Sequence, residues 1–322
     1  MNEIIHITTM PEVLTAIPRS PDQNPAFVYL ASLSARSGRK TQKQVLEVMA
    51  AWLGGTIASV EWGALRYAYT IALKGRVLDA GYGPASTRKF IAALRGTLKA
   101  AWKLGQISAE EYAKAIDLGK IGGSSLPAGR YVEESEMEQL FDACIADHSP
   151  NGARDAALLA ILYGCGVRRE ELINIDLADY KPDDGTLTVH GKRGKDRLAY
   201  ISNGTQDALN DWLKARGWQP GPLFLAVYAS GRIRQDKRLS PQMVYNTVFK
   251  RVKDAGLEKF SPHSLRRSFC SKLLDSGVDI ATVSKLAGHT NIQTTSIYDR
   301  RPGETQRAGA LLLHIPYKKR AE

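Results

Sequence analysis

Apolar residues in the first third of the chain recur at three- and four-residue spacing, not at every second position. From about Asn24 the stretches FVYLASL, QVLEVMAAWLGG, WGALRYAYTIAL and STRKFIAALRGTLKAAWKLG each gather their large apolar side chains on one helical face, and SAEEYAKAIDLG adds a shorter helix. Thr41 and Ser86 are the candidate N-caps, and Gly54-Gly55 and Gly105 the candidate stops. Residues 1–22 carry no such period and read as an irregular arm. The pattern predicts an all-helical domain over residues 23–119, with a basic stretch, Arg36, Arg39 and Lys40, at one of its turns.

Residues 120–130, KIGGSSLPAGR, have the Gly, Ser and Pro content of a linker. The helical period then resumes in EESEMEQLFDACIAD and ARDAALLAILYGCG, whose two closing glycines end the helix ahead of RREELINI. Next the period changes to two. TLTVHG and RLAYIS alternate as strands, joined by a basic hairpin turn from Lys192 to Asp196. Helices return in GTQDALNDWLKARG, in the segment opened by Ser240-Pro241, and in three pieces between Ser261 and Arg300, broken at Ser276-Gly277 and at Gly288-His289. The expected fold is mainly α with a small antiparallel β-sheet, in two domains: 23–119, and α+β over 131–302. The tail, 303–322, is apolar and then basic.

Composition changes this picture in two respects. A chain of 322 residues, 43% hydrophobic and 24% charged, can build two domains with separate cores. No apolar run approaches the ~18–20 residues that cross a bilayer. The opening MNEIIHITTMPEV has no basic segment followed by an apolar one. The expectation is therefore a cytoplasmic protein with no membrane role. The formal charge of +11 favours a polyanionic partner, and it divides almost evenly, +6 over residues 1–125 and +5 over 126–322. Two separately basic domains suit a clamp around DNA. Cys144, Cys165 and Cys270 have no C-x-x-C spacing and lie in apolar helical patterns, as buried thiols do.

The candidate chemistry lies in the second half. On a helix His263 and Arg266 share a face, so both can reach one phosphate while Leu265 packs inward. A guanidinium suits that task because its planar fork holds two oxygens and keeps its charge. Arg168 follows a glycine-containing break and opens a helix, where free N–H groups already favour anions, and Glu171 one turn on can hold it. Lys192, beside Gly191 on the hairpin, can enter a DNA groove and protonate a leaving oxygen; Arg193, Lys195 and Arg197 compete for that role. Gly288 stops a helix, His289 follows, Thr290 or Asn291 caps the next helix, and Tyr298 falls on its later turns. An exposed tyrosine among these cations would have its phenolate favoured. Each motif alone is common; one of thirteen tyrosines is singled out only by its place in the set.

The order Arg168, Lys192, His263-x-x-Arg266, His289, Tyr298, set in GVRREEL, VHGKRGKDR, PHSLRRSFCSKLLDSG and LAGHTNIQTTSIYDRR, resembles the tyrosine recombinase (phage integrase) family. Ala287 and Val167 stand where many members have Leu. The likeness is close over about 130–302, and the helical first half resembles that family's core-binding domain in length, helicity and charge. The resemblance implies that Arg168 and Arg266 clamp the scissile phosphate, that Lys192 is the general acid, and that His263 assists proton transfer at Tyr298. It implies further that His289 donates a hydrogen bond to the phosphate, that Glu171 supports Arg168, and that Tyr298 is the nucleophile, leaving a 3′-phosphotyrosyl link. It implies no metal and no nucleotide cofactor, in keeping with a sequence that lacks a G-x-x-x-x-G-K-[ST] loop. The implied partners are double-stranded DNA, contacted by Arg36, Arg39, Lys40, Arg193 and Lys195, three further copies of the chain in a tetramer on two duplexes, and an accessory DNA-bending or directionality factor. The implied place is the nucleoid. The ending YDRRPGETQRAGALLLHIPY looks more like integrases of mobile elements than like Xer proteins, and residues 303–322 are a candidate protomer contact. The alternatives are a type IB topoisomerase-like enzyme that nicks and reseals, and a catalytically inactive DNA-binding regulator.

Overall fold

A helix of 20 residues, α4 (Pro84–Lys103), organises the first half of the chain. The computed structural model describes residues 20–123, 129–191, 194–228 and 230–300, with positions 307, 310–312, 314 and 316 beyond them. The chain divides into two units, 1–126 and 127–322. Lys192 and Arg193, most of the 1–22 arm, the middle of the 120–130 linker and most of the tail lie outside the described residues.

In the first unit α4 packs against α1 (Pro25–Ser32), α2 (Arg36–Trp52), α3 (Tyr67–Asp79) and α5 (Ala109–Ile116). Leu46, Met49, Leu73, Leu94 and Leu98 close the core between them. The buried Asn24 side chain caps α1 by accepting from Ala26 N–H at 2.9 Å, and its amide donates to the Ile57 carbonyl at 3.0 Å. Two expectations need correction. WGALRYAYTIAL is not one helix: a 3₁₀ turn, Trp62–Ala64, precedes α3, because Trp62 is buried with its indole N–H on the Ile57 carbonyl at 3.0 Å. Nor do Thr41 and Ser86 cap: α2 follows Ala35 and α4 follows Gly83, with Pro84 in its first turn. Arg36, Arg39 and Lys40 therefore sit in the opening turns of α2, exposed to solvent, and not in a turn before it. The stretch RSGRKTQK lacks an apolar face and so gives no periodic signal, although Arg, Lys and Gln are good helix formers.

The second unit is built on α7 (Pro150–Gly164), which packs against α6 (Glu134–Ile145), α9 (Gly204–Arg216) and α11 (Pro262–Asp275). Leu158, Leu159, Ile161 and Leu162 are wholly enclosed. After α8 (Arg169–Ile173) comes an antiparallel sheet of β1 (Tyr180–Lys181), β2 (Thr186–Val189) and β3 (Arg197–Tyr200), in that order. Leu187 pairs with Ala199 and Val189 with Arg197, so Leu187, Val189, Ala199 and Arg197 share the inward face. A second antiparallel pair, β4 (Leu225–Val227) and β5 (Ile233–Arg238), was not anticipated; four of the six residues of IRQDKR are charged, and that masks its alternation. Helices α10 (Pro241–Asp254), α12 (Ile280–Ala287) and α13 (Gln293–Ser296) complete the unit. The three cysteines are free and buried, and burial pushes the Cys144 and Cys165 thiols up to about 12 and the Cys270 thiol to about 11.

Beneath α7 a buried ionic cluster joins three elements. Arg251 of α10, 2% exposed, donates to Asp155 at 2.8 Å and to Asp147 at 2.5 Å, and Arg154 holds the other Asp155 oxygen at 2.7 Å. Burial opposes the charge of Asp147, but hydrogen bonds from Ser149 and Arg251 hold its pKa down to about 2. Removing one member of such a set strands the charges that remain. Asp155→Ala is expected to cost about 3–5 kcal/mol, measured as a shift in the urea unfolding midpoint, whereas a loss below 1 kcal/mol would mean that the cluster is dispensable.

Candidate active site

The break after α7 shapes the floor of a cleft. Gly166 has φ +57, and a Cβ there would lie 2.3 Å from the Phe269 ring, so only glycine fits. Its carbonyl accepts a hydrogen bond from Arg266 Nη1. Arg168 is the N-cap of α8, and its backbone N–H donates to Glu171 Oε2 at 2.9 Å. The Arg168 side chain, 42% exposed, donates from Nη1 to Glu171 Oε1 at 2.6 Å and from Nη2 to the Gly288 carbonyl at 3.1 Å. Glu171 also accepts from Arg197 Nη2 at 2.8 Å. Burial alone would raise the Glu171 pKa, but these hydrogen bonds and the Arg197 charge hold it below the usual carboxylate value. A buried carboxylate between two guanidinium groups is a different object from an ordinary surface ion pair.

Helix α11 presents His263 and Arg266 on the same face. Arg266 is 2% exposed, and its Nη2 is buried with no hydrogen-bond partner. Burial, with Arg168 close by, draws its pKa down to about 10. A buried guanidinium nitrogen with an unused donor is costly, and an anion entering the cleft would satisfy it. His263 lies 3.3 Å from the Tyr298 hydroxyl through Nε2. Partial burial and then the charges of Arg266, Arg168 and Arg267 hold His263 below its ordinary pKa, so the ring is neutral at pH 7 and able to accept a proton.

Gly288 ends α12 in the left-handed region, φ +67 and ψ 43, and turns the chain so that His289 faces inward. His289 Nδ1 lies 2.8 Å from Thr295 Oγ1, and its ring stacks 6.0 Å from that of Tyr298. Burial, followed by Arg266 and Arg168, brings its pKa down to about 4, so this imidazole is neutral as well. Tyr298 lies beyond the end of α13, not on its later turns, with its carbonyl held by Ser271 Oγ at 3.0 Å. It is 5% exposed rather than open to solvent. Burial raises its pKa more than Arg266, Arg267 and Arg168 lower it, so the resting side chain is a phenol and not the phenolate expected from the sequence.

Arg168, Glu171, His263 and Arg266 line a cleft of about 810 Å³, and Tyr298 joins them through His263, with His289 stacked on its ring. Lys192 and Arg193 are outside the described residues, and Lys195 is exposed on the hairpin. Arg197 is not a tip cation: it points inward to Glu171. Sequence reasoning missed His190 and Tyr245, which line the cleft, and Thr295, which holds His289. The parity of Arg197 with the apolar Ala199 and Ile201 was the signal that could have turned it inward. His190 bridges Asp179 and Asp196 at 3.0 and 2.9 Å, and those hydrogen bonds raise its pKa. Among the described residues no three His, Cys, Asp or Glu side chains gather as a metal site, and no helix is long and apolar enough to cross a membrane.

Residues 130–302, more than half of the chain, match the model of the phage integrase family. The chain belongs to that family. It is accordingly a site-specific tyrosine recombinase, an enzyme that cuts and rejoins DNA. The XerC tyrosine recombinase of Vibrio atlanticus is 29% identical to this integrase-family chain over 265 residues, covering 81% of each. That of Corynebacterium glutamicum is 33% identical over 235 residues, 70% of each. Among solved structures, the Tn1549 transposon integrase in complex with transposon right-end DNA has a TM-score of 0.68 at 14% identity, covering 91% of this chain and 99% of that one. XerH bound to a palindromic difH substrate has a TM-score of 0.64 at 17% identity, with 94% and 99% covered. Both share the fold. The topoisomerase-like and non-catalytic alternatives have no counterpart among these matches.

Gly288 is the position at which backbone and site meet. A Cβ there would lie 2.9–3.1 Å from the Arg197 guanidinium, in a backbone region that favours glycine. Gly288→Ala is expected to destabilise the protein by about 1–2 kcal/mol and to slow strand cleavage at least tenfold while leaving DNA binding within threefold. Unchanged cleavage would show that the turn tolerates a side chain.

Proposed function

We propose that Tyr298 attacks the scissile phosphate of a specific duplex site while His263 takes its proton. The observation that carries this reading is the neutral phenol of Tyr298 held 3.3 Å from a neutral His263, beside a buried Arg266 with a donor to spare. Arg168 and Arg266 bind the non-bridging oxygens and stabilise the charge that builds in the transition state. His289 Nδ1 pairs with the Thr295 hydroxyl, and in the tautomer that carries its proton on Nε2 the ring donates a hydrogen bond to the phosphate. The bond from phosphorus to the 5′ oxygen breaks as the bond to the Tyr298 oxygen forms, and Lys192, which follows Gly191 in the sequence, protonates the leaving oxygen. The 3′-phosphotyrosyl link keeps the phosphodiester energy, so a 5′ hydroxyl of a second strand can reverse the step without ATP.

The two basic units, residues 23–119 as DNA-binding domain and 131–302 as catalytic domain, each contact the duplex. Arg36, Arg39 and Lys40 support this, because cations in the first turns of a helix oppose its dipole and add nothing to folding. Arg193 and Lys195 contact the DNA as well. Strand exchange between two duplexes calls for four protomers. Leu311 and Leu312, 77% and 87% exposed, support the tail beyond 302 as the contact between neighbours. The XerC relatives favour the Xer branch, and the chain's ending favours integration or excision of a mobile element; the chemistry is the same in both. An accessory factor that bends DNA or sets direction would act on the same assembly. A DNA substrate places the enzyme with the nucleoid in the cytoplasm.

The decisive substrate is a nicked suicide duplex bearing a site selected for tight binding from random DNA. Wild type should trap a covalent adduct, in complexes with the mass of four chains on two duplexes. Tyr298→Phe should bind equally well and trap none; an adduct undiminished in Tyr298→Phe sinks the assignment. The pH dependence follows from His263, which must be neutral to accept a proton. Its pKa lies below 6.5, so kcat/KM for cleavage should be on its plateau at pH 7 and fall only as the pH drops below 6.5. An acid limb centred above pH 6.5 would contradict His263 as the base.

A further inference from the structure

Arg197 is buried behind the cleft and does not line it. It opens β3 on the inward face of the sheet, opposite Val189, with 11% of its side chain exposed. Nη2 donates to Glu171 Oε2 at 2.8 Å, and Nε donates to the Leu286 carbonyl at 3.0 Å. Leu286 lies in the last turn of α12, where carbonyls have no partner within the helix and a cation is favoured. Arg168 reaches the same helix end through the Gly288 carbonyl at 3.1 Å and Glu171 at 2.6 Å. These contacts close a ring. It runs from Arg168 to Glu171, to Arg197, to the end of α12, and back to Arg168, and His289 is the next residue along the chain.

We infer that Arg197 is a positioning residue for strand cleavage, bracing Glu171 against the end of α12 so that Arg168 and His289 are held in one fixed relation. The inference rests on the roles proposed for Arg168 and Tyr298. Charge is the first reason. Without Arg197, Glu171 would keep Arg168 as its only guanidinium partner and would draw that positive charge toward itself; shared between two cations, it leaves Arg168 free to act on an anion. Geometry is the second. The two acceptors lie in different elements, and a planar fork can hold both at fixed angles, whereas a lysine ammonium is a point donor on a flexible stem. Burial is the third, because a side chain so enclosed and so fully engaged is not a groove contact.

The test uses the full-length protein and the nicked suicide duplex, with cleavage measured in a single turnover at saturating protein. Arg197→Gln should slow cleavage at least thirtyfold while duplex affinity stays within threefold and unfolding stays cooperative. Arg197→Lys, which restores charge beside Glu171 but not both hydrogen bonds, should recover part of the rate. If Arg197→Gln does not fold, Arg197→Lys carries the test alone, and a loss of fivefold or more at unchanged affinity is the expected result. In a Glu171→Gln background, replacing Arg197 should cost less than threefold further, because the brace has already lost its charged centre. Wild-type cleavage rates in both variants, a parallel loss of affinity, or full additivity with Glu171→Gln would each overturn the inference. Absence of a Tyr298-linked adduct in wild type would instead strike the underlying reading, and this inference with it.

Discussion

Taking a carboxylate out of water is tolerated only where cations and hydrogen bonds replace the lost hydration. Glu171, 7% exposed, meets that condition by accepting from Arg168, from the Arg168 backbone and from Arg197. The rest of the cleft depends on this arrangement. The carboxylate fixes the start of α8, and Arg168 with it. Through Arg197 it is tied to β3, and through both arginines to the end of α12, where the turn at Gly288 aims His289. Three elements distant in the chain are thereby indexed to one buried charge. Like-charged guanidinium groups would otherwise repel each other here, and the depressed pKa of Arg266 measures how unwelcoming the place is to further positive charge.

Helix α11 supplies the other half of the geometry. Its inner side packs on α7, so the carbonyl of Gly166 meets Arg266, and the same helix reaches Tyr298 twice, through His263 at the hydroxyl and Ser271 at the carbonyl. The His263 ring, the Arg266 guanidinium and the support of Tyr298 thus share one rigid element. That economy matters because catalysis of phosphoryl transfer by positioned charges rewards sub-ångström placement.

Much of this was legible in the chain itself. The helical period located the helices of the first unit, the switch to alternation located β2 and β3, and Gly288 marked the turn before His289. The site residues were singled out by order, since His263, Arg266 and Tyr298 are individually unremarkable in kind. What escaped the sequence were facts of burial and of tertiary competition. Tyr298 was expected to be open and ionised, yet a satellite apolar cluster covers it. Arg197 was read as a surface cation because its charge outweighed its parity with Ala199. Strand β5 carries charges on both of its faces, and so lacks the apolar alternation by which strands are found.

Tyr298 belongs to that satellite cluster, with Phe269, Cys270, Leu274, Val283 and Ala287, and this small core is separate from the main one around α7. A small core has its own opening equilibrium, at lower free energy than global unfolding. The tyrosine segment therefore rests on contacts distinct from those of the main core around α7. The phenol is thus an apolar packing element as well as the partner of His263. The stability of a few apolar contacts then sets how firmly the phenol is held beside His263, which makes packing around the tyrosine a matter of site geometry as much as of the fold.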